Sequence, residues 1–248
     1  MSKSEEYEIA KRLINAFCVN LKQSTLRYST RKKFIVEIDN LTYSLTGQDF
    51  KNKNFIFPKS SLVAIPQKDF NASGLKHISK KMLTNLSWTQ IYRGFDPDPY
   101  LRGMFVSRLL GLDGYYFHDR LAIGTMLLLP GVMYPFHTHD VNELYYCISG
   151  KLEIRHTVSG VPFFLKSGDL SITPKAQLHS LSVLGNKPVL LFYSWRGNLR
   201  APIWLWEKRN ENNWERVLWK REPGDSWLAY RKQLVSEDDY VKANRENI

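Results

Sequence analysis

What most limits the fold of this chain is a run of short β-rich segments after about residue 115: LAIGTMLLL, ELYYCIS, KLEIRHT, VPFFL, LSIT, HSLSV and VLLFYSW. Gly, Pro, Asn and Asp punctuate them. Many short strands separated by turn residues pack as a sandwich or a barrel. SGK at 149–151 has the residues of a hairpin turn. Beyond residue 200 the chain is rich in tryptophan and charge, and it reads as strand or helix laid against the barrel.

The first hundred residues have a different texture. Ile9, Leu13, Ile14, Phe17 and Leu21 recur at helical spacing among lysines and glutamates, which predicts an amphipathic helix from 4 to about 23. Leu75, Ile78, Met82 and Leu86 predict a second helix across 73–93. KKFIVEI (32–38) could be a strand, and TGQDFKNKNF (46–55) reads as a loop. FDPDPY at 95–100 ends the helical texture, because proline lacks the amide donor and restricts the residue before it. The expected division is a mostly helical extension, 1–100, and a β-barrel domain with a C-terminal segment, 101–248.

Composition narrows the setting. Hydrophobic residues make up 43% and charged residues 24%, as in an ordinary folded domain. No apolar run approaches the length of a membrane-spanning helix. The opening MSKSEEYEIAKRL is charged and has no apolar signal core. Cys18 and Cys147 are too few for a disulfide framework, which suits a reducing compartment. The expectation is a cytoplasmic protein with no membrane partner. The net charge is +11, but the basic residues are scattered and no nucleic-acid motif accompanies them. We read them as a solvated basic surface rather than a nucleic-acid interface.

The chemistry concentrates in YPFHTHDVNELYYCISG, 134–150. Alternate residues of a strand face the same way. His137 and His139 therefore share one face, and Glu143 and Tyr145 share a face of the next strand. If the loop between them folds back, the four converge. Imidazole and carboxylate are the ligands a divalent transition metal takes, and burying them unpaired costs several kcal/mol in order of magnitude. The other reading is an exposed loop that happens to carry H-x-H. These residues alone leave both open.

The wider pattern resembles the cupin superfamily. Its first motif, G-x5-H-x-H-x3–4-E-x6-G, is matched by Gly131, His137, His139, Glu143 and Gly150. Its second, G-x5-P-x-G-x2-H-x3-N, is matched by Gly168, Pro174 and His179, with Ala176 in place of the second glycine and Val183 in place of the asparagine. The motifs are separated by 17 residues. The resemblance implies a mainly β fold, a double-stranded β-helix or jelly-roll-like barrel, here with an N-terminal helical extension. It also implies a metal held by His137, His139, Glu143 and His179. The ion would be one divalent transition metal (Fe, Mn, Zn, Co or Ni), a choice the ligands do not decide.

Within the superfamily, YPFHTHDVNELYY, PKAQLHSL, PVLLFYSWRGNL and the lead-in GYYFHDRLAIGTMLLLPGV are similar to the cupin-type dimethylsulfoniopropionate lyases. The resemblance is residue by residue in the barrel and vague in the first third. It implies a metal-dependent β-elimination that gives acrylate and dimethyl sulfide. Tyr145 would be the base, and Tyr134 would line the pocket and assist. The sulfonium suits aromatic faces, with Tyr134, Phe136, Tyr193 and Trp195 the candidates. The small substrate is the expected partner, with a homodimer as cupins often form. Two alternatives remain at this point: a cupin isomerase or dioxygenase on another small carboxylate or polyol, and a non-enzymatic cupin that binds a small molecule. His77, His118 and His156 carry no motif and read as surface or satisfied residues, Arg196 and Arg200 read as surface residues with a substrate carboxylate as the alternative partner, and Cys147 reads as a buried thiol.

Overall fold

The computed structural model describes residues 2–25, 45–48, 57–92, 102–210, 213–221 and 227–245. KKFIVEI, FDPDPY and most of TGQDFKNKNF lie outside them. The first element is a helix, Lys3–Thr25. It opens on a reciprocal cap: the Glu5 amide donates to Ser2 Oγ at 3.3 Å and the Ser2 amide to Glu5 Oε2 at 2.7 Å. Its apolar stripe, Ala10, Leu13, Ile14, Phe17, Cys18 and Leu21, is buried.

The pattern across 73–93 is not one helix. Two short helices, Lys59–Val63 and Gln67–Ala72, precede it, and only Lys80–Thr84 within it is helical. Gly74 at φ +74° stops the chain after Ala72. Ser79 then caps a new start, accepting the Met82 amide at 3.3 Å. Leu75, Ile78 and Leu86 are still buried, so their apolar spacing reports burial without a continuous helix.

The strands, in chain order, are β1 (Thr46–Gly47), β2 (Thr89–Gln90), β3 (Met104–Leu110), β4 (Tyr116–Phe117), β5 (Leu121–Leu128), β6 (Met133–His139), β7 (Val141–Ser149), β8 (Leu152–Arg155), β9 (Phe163–Leu165), β10 (Leu170–Thr173), β11 (His179–Val183), β12 (Val189–Gly197), β13 (Ile203–Lys208), β14 (Trp214–Arg221) and β15 (Trp227–Leu234). A short helix, Glu237–Ala243, follows. No described helix is long and apolar enough to cross a membrane.

The strands form two facing sheets, the jelly-roll arrangement of a cupin. One runs β1-β4-β3-β5-β12-β7-β10 with β2 on β3, and the other β15-β14-β13-β6-β11-β8-β9. The tryptophan-rich tail is thus strand, built into the second sheet. SGK at 149–151 does not close a hairpin. It carries the chain from β7 in the first sheet to β8 in the second, with Gly150 at φ +90°.

The first sheet is buried on both faces, which explains why its strands read as near-continuous apolar runs. On β7, Leu144, Tyr146 and Ile148 pack toward the helices, whereas Tyr145 and Cys147 face the barrel interior. β12 repeats this with Leu190 and Phe192 outward and Leu191 and Tyr193 inward. Phe17 of the first helix stacks on Phe192 with centroids 4.8 Å apart. Each such fully buried side chain stabilises the fold by about 1.5–3 kcal/mol. The helices therefore seal the sheet that carries Glu143, and they leave its inner face for the site.

Candidate metal centre

β6 of the second sheet ends at His139, and the chain turns at Asp140 into β7 of the first. That turn lets His137 and His139 meet Glu143 from the opposite wall. β11 pairs with β6 so that His179 is the direct partner of His137. All four side chains are buried, at 1%, 4%, 1% and 0% exposure for His137, His139, Glu143 and His179. Their candidate ligand atoms lie within 4.8 Å of one another.

The hydrogen bonds define the cluster's chemistry. His137 Nδ1 meets the Pro135 carbonyl at 2.9 Å, His139 Nδ1 the Val141 carbonyl at 3.1 Å, and His179 Nδ1 the Gln177 carbonyl at 3.0 Å. A carbonyl only accepts, so each Nδ1 donates. In the neutral rings each Nε2 is then a bare lone pair. Two of these nitrogens face one carboxylate oxygen, Glu143 Oε2, at 3.1 Å from His139 and 3.0 Å from His179. Lone pairs facing a carboxylate oxygen repel unless a proton or a cation lies among them. Burial, and then the neighbouring histidines, push His137 well below the ordinary histidine range, and burial also lowers His179. Burial alone would raise Glu143, but His139 and His179 outweigh it and hold its carboxyl well below the usual range. Imidazole nitrogens gathered around a carboxylate are the donor set that fits a divalent transition metal.

A cavity of about 70 Å³ opens beside Glu143 and is lined in part by Tyr92, Tyr134, Tyr145, Tyr193, Trp195 and Trp227. Tyr134 stacks on the His137 ring, with centroids 3.8 Å apart and planes 19° apart. Tyr145 is 1% exposed. Burial, then the Glu143 carboxylate, push its hydroxyl well above the ordinary tyrosine range. Tyr193 finds room because Gly124 lies directly across the ladder, where a Cβ would come within 2.6 Å of the ring. Trp195 is half-buried and donates its indole N–H to Glu143 Oε1. Phe136 is not brought to the cavity. It alternates to the outer face of β6 and meets Trp214 edge-on at 6.1 Å.

Tyr92 escaped the sequence reading. It comes just before the barrel strands, at the end of the stretch read as helix, and no spacing marks it. Its hydroxyl is hydrogen-bonded to that of Tyr134, and its ring packs edge-on against Trp219 at 5.2 Å. It sits at φ +54°, a conformation that bulky residues adopt only when their surroundings enforce it. The residues without a motif lie elsewhere. His77 is exposed, His118 Nδ1 accepts the Arg120 and Leu121 amides, and His156 meets Thr173 Oγ1 at 3.1 Å. Arg196 and Arg200 line a separate polar groove with Arg120, Asp140 and Lys175. Cys18 and Cys147 are buried.

Comparison with known proteins supplies the family. The model for dimethylsulfoniopropionate (DMSP) lyase matches residues 60–191, more than half of the chain. The chain belongs to the DMSP lyase family. It is 31% identical over 97 residues to the DMSP lyase DddQ of Ruegeria pomeroyi, an alignment covering 38% of this chain and 47% of that protein. It is 25% identical over 126 residues to DddL of Cereibacter sphaeroides, covering 50% of this chain and 52% of that protein. The chain thus spans about half the length of the two relatives it matches. The crystal structure of the Ruegeria pomeroyi DddQ superposes with a TM-score of 0.58 at 21% identity, over 76% of this chain and 95% of that one. A chain from crystal structures of the DMSP lyases RdDddP and RnDddQII gives 0.52 at 20% identity, with the same coverage. The likeness shows that this DMSP lyase family member shares their fold.

Proposed function

We propose that the chain is a metal-dependent lyase that cleaves dimethylsulfoniopropionate to acrylate and dimethyl sulfide. The observation that carries the reading is the buried His137–His139–Glu143–His179 set, whose Glu143 also lines a tyrosine-lined cavity, in a chain of this family. Those four residues would hold one divalent ion. Such an ion supplies Lewis acidity toward a substrate carboxylate and positive charge beside the tyrosine hydroxyls.

The rest falls to the chain's own side chains. Tyr145, on the same face of β7 as Glu143, is the base, acting as its phenolate once the charge of a bound ion offsets the burial and the Glu143 carboxylate that otherwise keep it protonated. Its oxygen takes the proton from the carbon next to the carboxylate. The C–H electron pair becomes the carbon–carbon double bond, the C–S bond breaks, and its pair leaves on sulfur as neutral dimethyl sulfide. No acid is needed for that leaving group. Tyr134, held by Tyr92 and by the face of His137, supports the carboxylate end. The rings of Tyr193 and Trp227 offer electron-rich faces to the sulfonium. The burial of the set keeps bulk water from the proton in transit.

The test is to incubate purified protein with the sulfonium substrate and each of several divalent metals, and to assay the headspace for dimethyl sulfide. Release with at least one metal supports the reading. Silence with all of them rejects it.

A further inference from the structure

Trp195 on β12 lies directly opposite Glu143 on β7. The two carboxylate oxygens have different employment. Oε1 accepts the Trp195 indole N–H, while Oε2 faces the Nε2 atoms of His139 and His179. The indole nitrogen is a donor only, so it cannot itself compete as a ligand. Its ring also lies against His139, with centroids 5.0 Å apart and planes 43° apart. The register of the ladder and this ring contact together fix where the N–H points.

We propose that Trp195 is a positioning residue that keeps Glu143 a one-oxygen donor. The inference rests on the reading of the cluster as a metal centre, and it does not depend on the lyase chemistry. A carboxylate free to turn can bind a cation through both oxygens, taking a coordination position that a substrate could use. With Oε1 held by the indole, Glu143 would offer a bound ion only Oε2 and would leave room for a second carboxylate. Outer partners of this kind orient metal ligands. This gives Trp195 a task other than touching substrate, since its one polar atom is already engaged by Glu143.

The experiment loads the full chain with cobalt(II) and reads bound metal and visible absorption. Trp195→Phe keeps an aromatic ring beside His139 and removes the N–H. Cobalt with more ligands absorbs more weakly, so the variant should bind its cobalt with absorption reduced severalfold. Acetate, used as a carboxylate probe, should shift the wild-type spectrum and leave the variant's unchanged. If Trp195→Phe does not fold, benzothienylalanine at position 195 keeps the bicyclic shape and lacks only the N–H, and the same changes are expected. Superimposable spectra and equal acetate responses for wild type and variant overturn the inference while leaving the metal centre standing. A wild type that binds no cobalt overturns both.

Discussion

His179 Nε2 lies 3.0 Å from Glu143 Oε2, and His179 Nδ1 is already donating to the Gln177 carbonyl. The pair joins β11 of one sheet to β7 of the other through two buried side chains. His179→Ala removes one of the four proposed ligands and leaves Glu143 Oε2 without one of its two imidazole partners. Metal affinity should fall by at least the ~10–100-fold typical when even an outer partner is lost. The melting temperature in excess metal should drop with it, because the ion stabilises only the folded chain. Metal analysis and calorimetry on one sample check both. Unchanged metal content would show that His179 is not a ligand.

In the proposed elimination Tyr145 is the base. Tyr145→Phe keeps the ring and removes the proton acceptor. Turnover should fall by roughly 10² or more, the usual scale for loss of a general base, with metal content nearly intact. Near-normal turnover would move the role to Tyr134 or to another acceptor.

Tyr92 and Tyr134 share one buried hydroxyl–hydroxyl contact. In denaturant unfolding, Tyr92→Phe and Tyr134→Phe should each cost about 1 kcal/mol. The double variant should cost less than the two added together, with a coupling of at least ~0.5 kcal/mol. Additive effects would mean that the hydroxyls do not act as a pair.

Ala176 stands where the cupin pattern has glycine, and it holds φ +63° while its amide donates to the His139 carbonyl at 2.8 Å. A left-handed conformation costs a residue with a Cβ roughly 1–2 kcal/mol. Ala176→Gly should therefore raise stability by about 1 kcal/mol, less the small entropic cost of glycine in the unfolded chain. A destabilised variant would contradict this.

Acid should unfold the metal-free protein early. Burial lowers His137 and His179, and lowers His156 to about 4, whereas histidines of the unfolded chain protonate near ~6.5. Between those values the unfolded chain binds more protons than the folded one. The stability these neutral histidines confer is thus present above about pH 6.5 and is lost as pH falls toward 4. Denaturation midpoints measured across that range check it. A flat profile would rule out neutral imidazoles at His137, His156 and His179.

The sequence was most legible where one physical rule acts alone. Strand alternation put His137 with His139 and Glu143 with Tyr145, and the two spaced motifs brought His179 to them. The amphipathic stripe of Leu13, Ile14, Phe17 and Leu21 marked a helix and its buried face together. The same alternation rule, applied to the whole of β6, turns Phe136 away from His137, so its aromatic character alone misled. Leu75, Ile78 and Leu86 kept apolar spacing through turns as well as helix, because burial and not hydrogen bonding selects those residues. Tyr92 was illegible. Its role arises where the segment after β2 meets β3 and β14, and no local pattern encodes that meeting. Trp195 was visible as an aromatic near the site, but the direction of its N–H needed the register of β12 on β7.

The most direct test strips the purified protein of metal with a chelator, offers it dimethylsulfoniopropionate, and follows dimethyl sulfide and acrylate together before and after a divalent ion is restored. The account predicts no product from the stripped protein and equal amounts of the two products after reloading, with His179→Ala failing to recover. Product from the stripped protein, or none from the wild type reloaded with any of the five metals, would contradict it.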